Sequence, residues 1–336
     1  MSHQKLNRRQ FIRLNTTALA GAAIAPAALT GEKQDTHIDT KDGNKSQSPG
    51  FYRFNLGDTE ITVLSDGYFN FPVDDHLEWR AFNVDPERRA EYFRSRLVPA
   101  DHTPLQVSPI LIDSGDRRTL VDPGVGTSEE APPTGGRLGP SLEAAGVPPE
   151  SIDAVILTHF HADHWAGFFV PQTGAPVFRN AEVLLSEREF EYWTGDEPTP
   201  EEEQLQTWAR SGLERLEDRV RTIRPDEEVS TGIRSIPSPG HTPGHIAFGV
   251  EAGGHELLIV GDAVVFTHVS FEHPEWQLGH DVDREEASRS RRRLLDRAAT
   301  DEMLILGYHF PFPGLGYALE YGDAFRWHPA GWTVLS

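Results

Sequence analysis

The feature that most constrains this chain is a run of four potential metal ligands within the segment His159-Phe160-His161-Ala162-Asp163-His164. Residues 152–158, just before it, are apolar and rich in β-branched side chains, which is typical of a buried strand. Alternate side chains of an extended chain point the same way, so His159 and His161 can share one metal ion. Asp163 and His164 lie past the bend and can turn toward a second. Zinc-type ions accept imidazole and carboxylate together, so the segment predicts a metal site.

Three later residues are candidates to complete two such sites. His241 lies in a turn rich in proline and glycine, which would fix its direction. Asp262 follows an apolar strand, where a lone carboxylate is costly unless it is paired or bound to metal. His309 follows another predicted strand. A single loop histidine is more often structural than a ligand, but together these residues put all seven candidate ligands at strand ends.

The remaining pattern predicts two clusters of strands with helices between and after them. Predicted strands cover residues 60–65, 105–113, 118–122, 152–158, 182–185, 232–236, 245–250, 256–260 and 303–306. Predicted helices cover residues 187–193, 201–218 and 283–299. This order favours two sheets packed face to face with helices outside, an α+β class with an αββα four-layer sandwich, over a doubly wound parallel sheet. We expect a single domain over residues 51–336.

The N-terminal 30 residues are typical of an export signal. Arg8-Arg9 with Phe11 matches the twin-arginine pattern, an alanine-rich stretch follows, and Ala25-Pro26-Ala27 offers a cleavage site. The alternative is a basic terminus in which two arginines adjoin by chance. Residues 31–50 are polar and are predicted to be a disordered spacer. We therefore expect export by the twin-arginine route to the periplasm or the extracellular space.

The charge of the chain limits its partners. Lys and Arg total 31 against 52 Asp and Glu, a formal net charge of −21, which argues against nucleic acid or an anionic membrane as partner. After residue 50 every Lys or Arg is an arginine. Such a surface is typical of proteins adapted to high salt, and drift in a GC-rich genome is the alternative. No apolar run reaches a membrane-spanning length, so the mature form should have no integral membrane segment. A homodimer is an alternative to a monomer.

The HxHxDH segment, followed by His, Asp and His in this order, resembles the metallo-β-lactamase superfamily. The resemblance extends over roughly residues 51–336. Leu64-Ser65-Asp66-Gly67 and His309-Phe310-Pro311-Phe312-Pro313-Gly314 are similar to the methyl parathion hydrolase branch, which is close to the quorum-quenching lactonases. The resemblance implies an enzyme that holds two divalent metal ions, with zinc favoured.

The resemblance also implies a role for each site residue. One metal would be held by His159, His161 and His241, the other by Asp163, His164 and His309, with Asp262 as the bridge. Asp163 and Asp262 are the candidate catalytic carboxylates. Asp122, at a strand end before Pro123-Gly124, matches an acid that orients a ligating imidazole, although a turn carboxylate is the alternative.

The chemistry expected of two such ions is hydrolysis of a small molecule by a metal-activated hydroxide. Apolar esters are the expected substrates: lactones, aryl esters and organophosphate triesters. Candidate pocket residues are Phe69, Phe71, Trp193, Trp208 and Val265, although core packing is the alternative for each aromatic. The lactonases carry Tyr where this chain has Val265, which puts acyl-homoserine lactones in doubt as the main substrate.

Other classes remain open at this point. Sulfur dioxygenases of the same fold share the HxHxDH string, whereas the diiron reductases typically place Glu where this chain has His161. A true β-lactamase is compatible with the fold alone, which does not determine function. A non-catalytic binding protein would be marked by loss of a ligand, and none is lost.

Overall fold

The strands of the described chain form two seven-stranded sheets and one two-stranded ribbon. The computed structural model describes residues 50–70, 76–99, 101–127, 132–195, 203–216 and 219–331. The predicted signal segment and all but the last residue of the predicted spacer lie outside these ranges, as does Phe71. Sheet 1 has the order β1-β2-β5-β6-β7-β8-β9, sheet 2 runs from β10 to β16 in sequence order, and β3 pairs with β4.

The bounds of the strands follow the chain. They are β1 Phe51–Leu56, β2 Thr59–Leu64, β3 Gly67–Asn70, β4 Pro104–Val107, β5 Ile110–Asp113, β6 Arg118–Val121, β7 Ala154–Ile156, β8 Glu182–Ser186, β9 Val220–Ile223, β10 Glu228–Ser230, β11 Ile233–Pro237, β12 Ile246–Ala252, β13 His255–Ile259, β14 Leu304–Leu306, β15 Leu315–Tyr321 and β16 Ala324–Pro329.

The described helices lie on the outside of the sheets or beside the site. They are α1 His76–Arg80, α2 Pro86–Ser95, α3 Leu138–Ala145, α4 Ala162–Trp165, α5 Glu187–Thr194, α6 Glu203–Leu216, α7 Val269–Glu272 and α8 Arg284–Thr300. α8 begins where the Asp283 side chain accepts the Glu286 N–H, and α5 begins where Ser186 Oγ accepts the Glu189 N–H. No helix in these ranges is long and apolar enough to cross a bilayer.

Three buried clusters define four layers. The first lies between the sheets, where Ile61 and Ile156 of sheet 1 meet side chains such as Phe248 and Ile259 of sheet 2. The second packs α3, α4, α5 and α6 against the outer face of sheet 1. The third packs α8 against the outer face of sheet 2. The predicted αββα sandwich of the α+β class is therefore confirmed.

The topology brings the candidate ligands to strand ends. β7 is parallel to β6 and β8 in sheet 1, and β13 is parallel to β14 in sheet 2. Each ligand segment follows the carboxyl end of a strand: residues 159–164 after β7, His241 after β11, Asp262 after β13 and His309 after β14.

The prediction of one strand over residues 105–113 is wrong. The structure divides it into β4, which pairs with β3, and β5, which pairs with β2 and β6. Pro109 has no N–H for a continuous ladder, and its carbonyl accepts the Leu64 N–H at 2.8 Å. The break separates sheet 1 from the ribbon of β3 and β4, which contains Phe69 and Gln106.

Candidate metal centre

The first donor group consists of three imidazole nitrogens that face one another. His159 Nε2 lies 3.0 Å from His161 Nδ1 and 3.1 Å from His241 Nε2, and the last two lie 2.9 Å apart. Three ligands at tetrahedral positions about 2.0–2.1 Å from one ion would be roughly 3.3 Å apart. The predicted triplet is therefore brought together at nearly the spacing that a metal ion requires.

The second donor group combines a carboxylate with two imidazoles. Asp163 Oδ2 lies 3.5 Å from both His164 Nε2 and His309 Nε2. These ligand atoms lie within 4.8 Å of one another, as do those of the first triplet. The two predicted sets are thus separate groups on one rim.

Asp262 lies between the two groups. Its Oδ1 is 3.4 Å from His164 Nε2 and 3.3 Å from His309 Nε2, whereas its Oδ2 is 3.4 Å from His241 Nε2. One carboxylate oxygen therefore faces each donor group, which is the arrangement expected of a bridge between two ions. Asp262 is only 6% exposed.

Hydrogen bonds hold a proton on Nδ1 of four imidazoles, on the side of the ring that faces away from the centre. Nδ1–H of His159 donates to Thr158 Oγ1 at 3.0 Å, because that hydroxyl itself donates to Asp122. Nδ1–H of His164 donates to Asp122 Oδ2 at 2.8 Å, and Nδ1–H of His309 donates to the Gln106 carbonyl at 2.5 Å. His241 completes the set by donating to Asp281 at 3.2 Å. Because Nδ1 of each ring is committed to its partner, Nε2 is the nitrogen that each ring has left to bind a metal ion.

Asp122 has the place that the resemblance implies. It is fully buried, accepts from Thr158 N at 2.9 Å and Thr158 Oγ1 at 2.7 Å, and orients His164. Its backbone has a φ of 51°, a left-handed conformation that is uncommon outside glycine. Such backbones cluster where a side chain must be aimed at a functional site.

Asp262 and the imidazoles around it shift one another's pKa values. Burial would raise the pKa of Asp262, but His309, His164 and His241 hold it well below its usual range. Burial would lower the pKa of His309, but the carboxylates of Asp262 and Asp163 raise it to about 9. Burial lowers the pKa of His159 well below its usual range, helped by the neighbouring imidazoles.

The donor set fits divalent metal binding on two observations. His164 Nε2 and Asp262 Oδ1 are buried and lack any hydrogen-bond partner among the described residues, which is costly unless a ligand satisfies them. Neutral imidazole nitrogens and carboxylate oxygens are the donors that divalent transition-metal ions prefer.

Several supporting residues were not predicted as parts of the site. Asp281, which orients His241, is paired with Arg291 at 3.2 Å, and both are fully buried. Tyr308 stacks on the His164 ring and donates its hydroxyl to the Asp163 carbonyl at 2.8 Å. His245 accepts the Asp262 N–H at 3.0 Å. The only sequence signal for Arg291 is a charged residue on the otherwise apolar face of a predicted helix.

The candidate pocket residues lie on two sides of the centre. Trp193 is 2% exposed and lines a narrow crevice beside His161 together with the half-buried Trp208. Val265 is 1% exposed and belongs to an apolar cluster with Trp79 and Trp276, against which the half-buried Phe69 packs. Their contact with substrate stays a prediction.

Fold and site together define a metal-binding protein of the two-sheet sandwich class. The family model described as the metallo-beta-lactamase superfamily matches residues 102–309. The chain therefore belongs to the metallo-β-lactamase superfamily, as the sequence resemblance implied.

Individual relatives are more distant. The chain is 28% identical over 150 residues to the uncharacterized protein YobT of Bacillus subtilis, covering 43% of this chain and 62% of the relative. It is 26% identical over 168 residues to an N-acyl homoserine lactonase of Bacillus cereus, covering 50% of this chain and 60% of the relative. The chain thus spans about six tenths of the length of these curated relatives.

Solved structures show the same fold at low identity. AidC, a dizinc quorum-quenching lactonase in complex with a product, aligns with a TM-score of 0.78 at 24% identity, over 85% of this chain and 99% of AidC. The hydrolase AbOPH of the beta lactamase superfamily aligns with a TM-score of 0.75, also at 24% identity and with the same coverage of both chains.

Proposed function

We propose that this protein is a binuclear metal-dependent hydrolase of apolar ester-type bonds, with zinc as the metal and lactones as the favoured substrates. The observation that carries the proposal is the placement of Asp262, whose two oxygens face two separate groups of ligands. A single-metal or purely structural site would not need a buried carboxylate between two sets of imidazoles. The names of AidC and of the Bacillus cereus relative support the lactone class.

The residues of the centre would have different roles in the reaction. When bound, two divalent ions make hydroxide available near neutral pH and polarise the substrate oxygen. Asp262 would hold both ions at a fixed separation. The Asp163 side chain is 22% exposed, against 8% for Asp262, so it is the carboxylate nearest solvent. We assign to Asp163 the transfer of a proton between the attacking water and solvent.

Val265 bears on which esters and lactones the protein would prefer. An isopropyl group buried in an apolar cluster cannot donate a hydrogen bond to a lactone oxygen. We therefore propose that apolar lactones and aryl esters are better substrates than N-acyl homoserine lactones. Val265→Tyr should raise kcat/KM for the homoserine lactones relative to aryl esters, and an unchanged ratio would contradict this preference.

A hydrolysis screen with metal analysis tests the function. Zinc-loaded protein should contain two ions per chain and hydrolyse at least one of lactones, aryl esters or organophosphate triesters. His161→Ala should lose metal and activity, whereas His255→Ala, at an exposed histidine of β13, should keep both. A two-metal protein that cleaves none of these but oxidises thiol persulfides with bound iron would support the dioxygenase alternative, and cleavage of β-lactams alone would support a β-lactamase.

We also propose that the chain is exported by the twin-arginine route, on the strength of Arg8-Arg9 and the alanine-rich stretch that follows. Full-length protein in a bacterial host should be recovered outside the cytoplasm, and Arg8→Lys combined with Arg9→Lys should retain it inside. Equal distribution of the two forms would rule the proposal out.

A further inference from the structure

Glu189, in α5, is a fully buried carboxylate whose two oxygens are occupied by four hydrogen bonds. Oε1 accepts from Phe160 N at 2.9 Å and from Trp193 Nε1 at 2.7 Å. Oε2 accepts from Thr242 Oγ1 at 2.7 Å and from Gly244 N at 3.1 Å. A carboxyl group that accepts four bonds has no room for its own proton, so this network requires the ionised form.

The four donors belong to the segments that carry the first donor group. Phe160 lies between His159 and His161, and Thr242 directly follows His241. Glu189 therefore joins the segment of His159 and His161 to the segment of His241. The turn after His241 approaches so closely that a Cβ on Gly244 would lie 2.1 Å from Glu189 N, which makes glycine necessary there.

This carboxylate is unlike an ordinary buried acid. Asp281, the other fully buried acid beside His241, is paired with Arg291, whereas the hydrogen-bond donors of Glu189 are all neutral. Burial of an unpaired charge is costly and raises the pKa of Glu189, although its hydrogen bonds act in the opposite direction. Imidazoles that bind a metal ion are neutral, so an ion held by the first triplet would supply a compensating positive charge.

We propose that Glu189 is a positioning residue for the first metal ion, setting the separation between the His159–His161 segment and His241. The inference rests on the metal centre of the proposed function but not on its substrate. Trp193 is then part of this support, because its indole N–H is committed to Glu189 and its ring lies 5.8 Å from that of His161.

Glu189→Gln tests the role with little change in shape. Its amide NH₂ must replace one of the two oxygens and would then face two donors, so at least one segment loses its anchor. We expect one of the two ions to be released at a chelator concentration roughly tenfold to a hundredfold lower than in the parent, as for other residues that support metal ligands. Elemental analysis after graded chelator dialysis measures the release.

Glu191→Gln is the matched control, because Glu191 is exposed on the same helix two residues away. A purely structural role of Glu189 would lower Tm equally with and without metal. A positioning role lowers the rise in Tm that metal produces. Parent-like retention of both ions in folded Glu189→Gln overturns the proposal.

If Glu189→Gln does not fold, the Thr242 pair decides the question. Thr242→Val removes one donor at nearly constant volume, and Thr242→Ser keeps it. The proposal is supported if Thr242→Val loses metal at a lower chelator concentration than the unsubstituted protein and Thr242→Ser does not. It is overturned if both variants retain metal equally. If the unsubstituted protein binds no metal, the proposal for Glu189 is also overturned. If it binds two ions but hydrolyses no substrate, only the proposed function is contradicted.

Discussion

At the scale of single residues, the centre is defined by where its imidazole protons are held. Thr158, Asp122, Asp281 and the Gln106 carbonyl each take one Nδ1–H, so four Nε2 atoms are left as lone-pair donors. Three of these partners are side chains and one is a backbone carbonyl. Metal affinity should therefore be sensitive to residues that never touch the metal.

Asp122→Asn should weaken metal binding by about tenfold to a hundredfold. An amide oxygen in place of Oδ2 can still accept from Thr158 Oγ1 and His164 Nδ1, but an NH₂ group in place of Oδ1 cannot accept the Thr158 N–H, so the side chain that orients His164 loses its backbone anchor. Competition with a chromophoric chelator measures the affinity. Asp116→Asn, at an exposed turn, should bind metal like the parent; equal affinity in both variants would contradict the role of Asp122.

His268 predicts a second residue-scale effect, on acid stability. Burial, with Arg80 nearby, lowers its pKa from 6.5 to about 4, and its Nε2 has no hydrogen-bond partner in the described chain. Between these two values the unfolded state binds the proton and the folded state does not, so stability falls as pH falls through this window.

His268→Phe should therefore reduce the loss of unfolding free energy between pH 8 and pH 5 by about 2 kcal/mol or less. Denaturant unfolding at both pH values measures it, and the comparison of variants under equal conditions cancels the contribution of metal release. His255→Gln, at an exposed position, should keep the parent's pH dependence. An identical loss in His268→Phe and parent would contradict the prediction.

At the scale of elements, α8 supports the centre from the outer face of sheet 2. Arg291 Nε donates to the Ala263 carbonyl, next to Asp262, and Nη1 donates to the carbonyls of Pro274 and Trp276. Its Nη2 donates to Asp281. One guanidinium thus ties two of the three ligand segments of sheet 2 to the helix, that of Asp262 through Ala263 and that of His241 through Asp281.

Arg291→Lys should lower the free energy of unfolding by about 3 kcal/mol or more, because a single ammonium group cannot reach all four acceptors and leaves buried oxygens unpaired. Guanidinium unfolding of the metal-loaded protein measures the change. Arg289→Lys, two residues earlier and exposed, is the control and should change stability by less than about 0.5 kcal/mol. A loss no larger than the control's would contradict the prediction.

Elements with strong periodicity were predictable and elements defined by pairing were not. The apolar run before the ligands contains β7, and the helix predicted over residues 283–299 is α8, with ends within one residue of those predicted. The hairpin of β15 and β16 exposes polar and aromatic side chains on both faces, so it shows little alternation. Glu189 could not be separated from Glu187 and Glu191 by sequence, because its four partners become neighbours only in the fold.

At the scale of the whole molecule, the grouping of seven ligands from four segments of the chain could be predicted because metal chemistry restricts the residue types that can serve. The substrate pocket could not, because apolar side chains that contact a ligand and those that fill a core have the same composition. Trp193 illustrates this: its aromatic ring suggested a pocket, and the structure places it 2% exposed with its N–H bound to Glu189.

The net charge of −21 predicts that added salt stabilises the molecule. Raising NaCl from low concentration to about 1 M shortens the screening length to roughly 3 Å, which weakens repulsion among surface carboxylates. The Tm of the metal-loaded protein should rise by several degrees, as measured by calorimetry. A flat or falling Tm would favour compositional drift over adaptation to salt.

Each sheet is built from an unbroken half of the chain, and the halves meet at the exposed turn of residues 224–227. The four ligands of residues 159–164 belong to the first half, and His241, Asp262 and His309 belong to the second. The chain has no cysteine, so metal coordination would link the two halves where a disulfide cannot. If the gene is divided at this turn, the two fragments should reassemble in a way that depends on metal. Recovery of the assembled protein would then serve as a measure of available zinc.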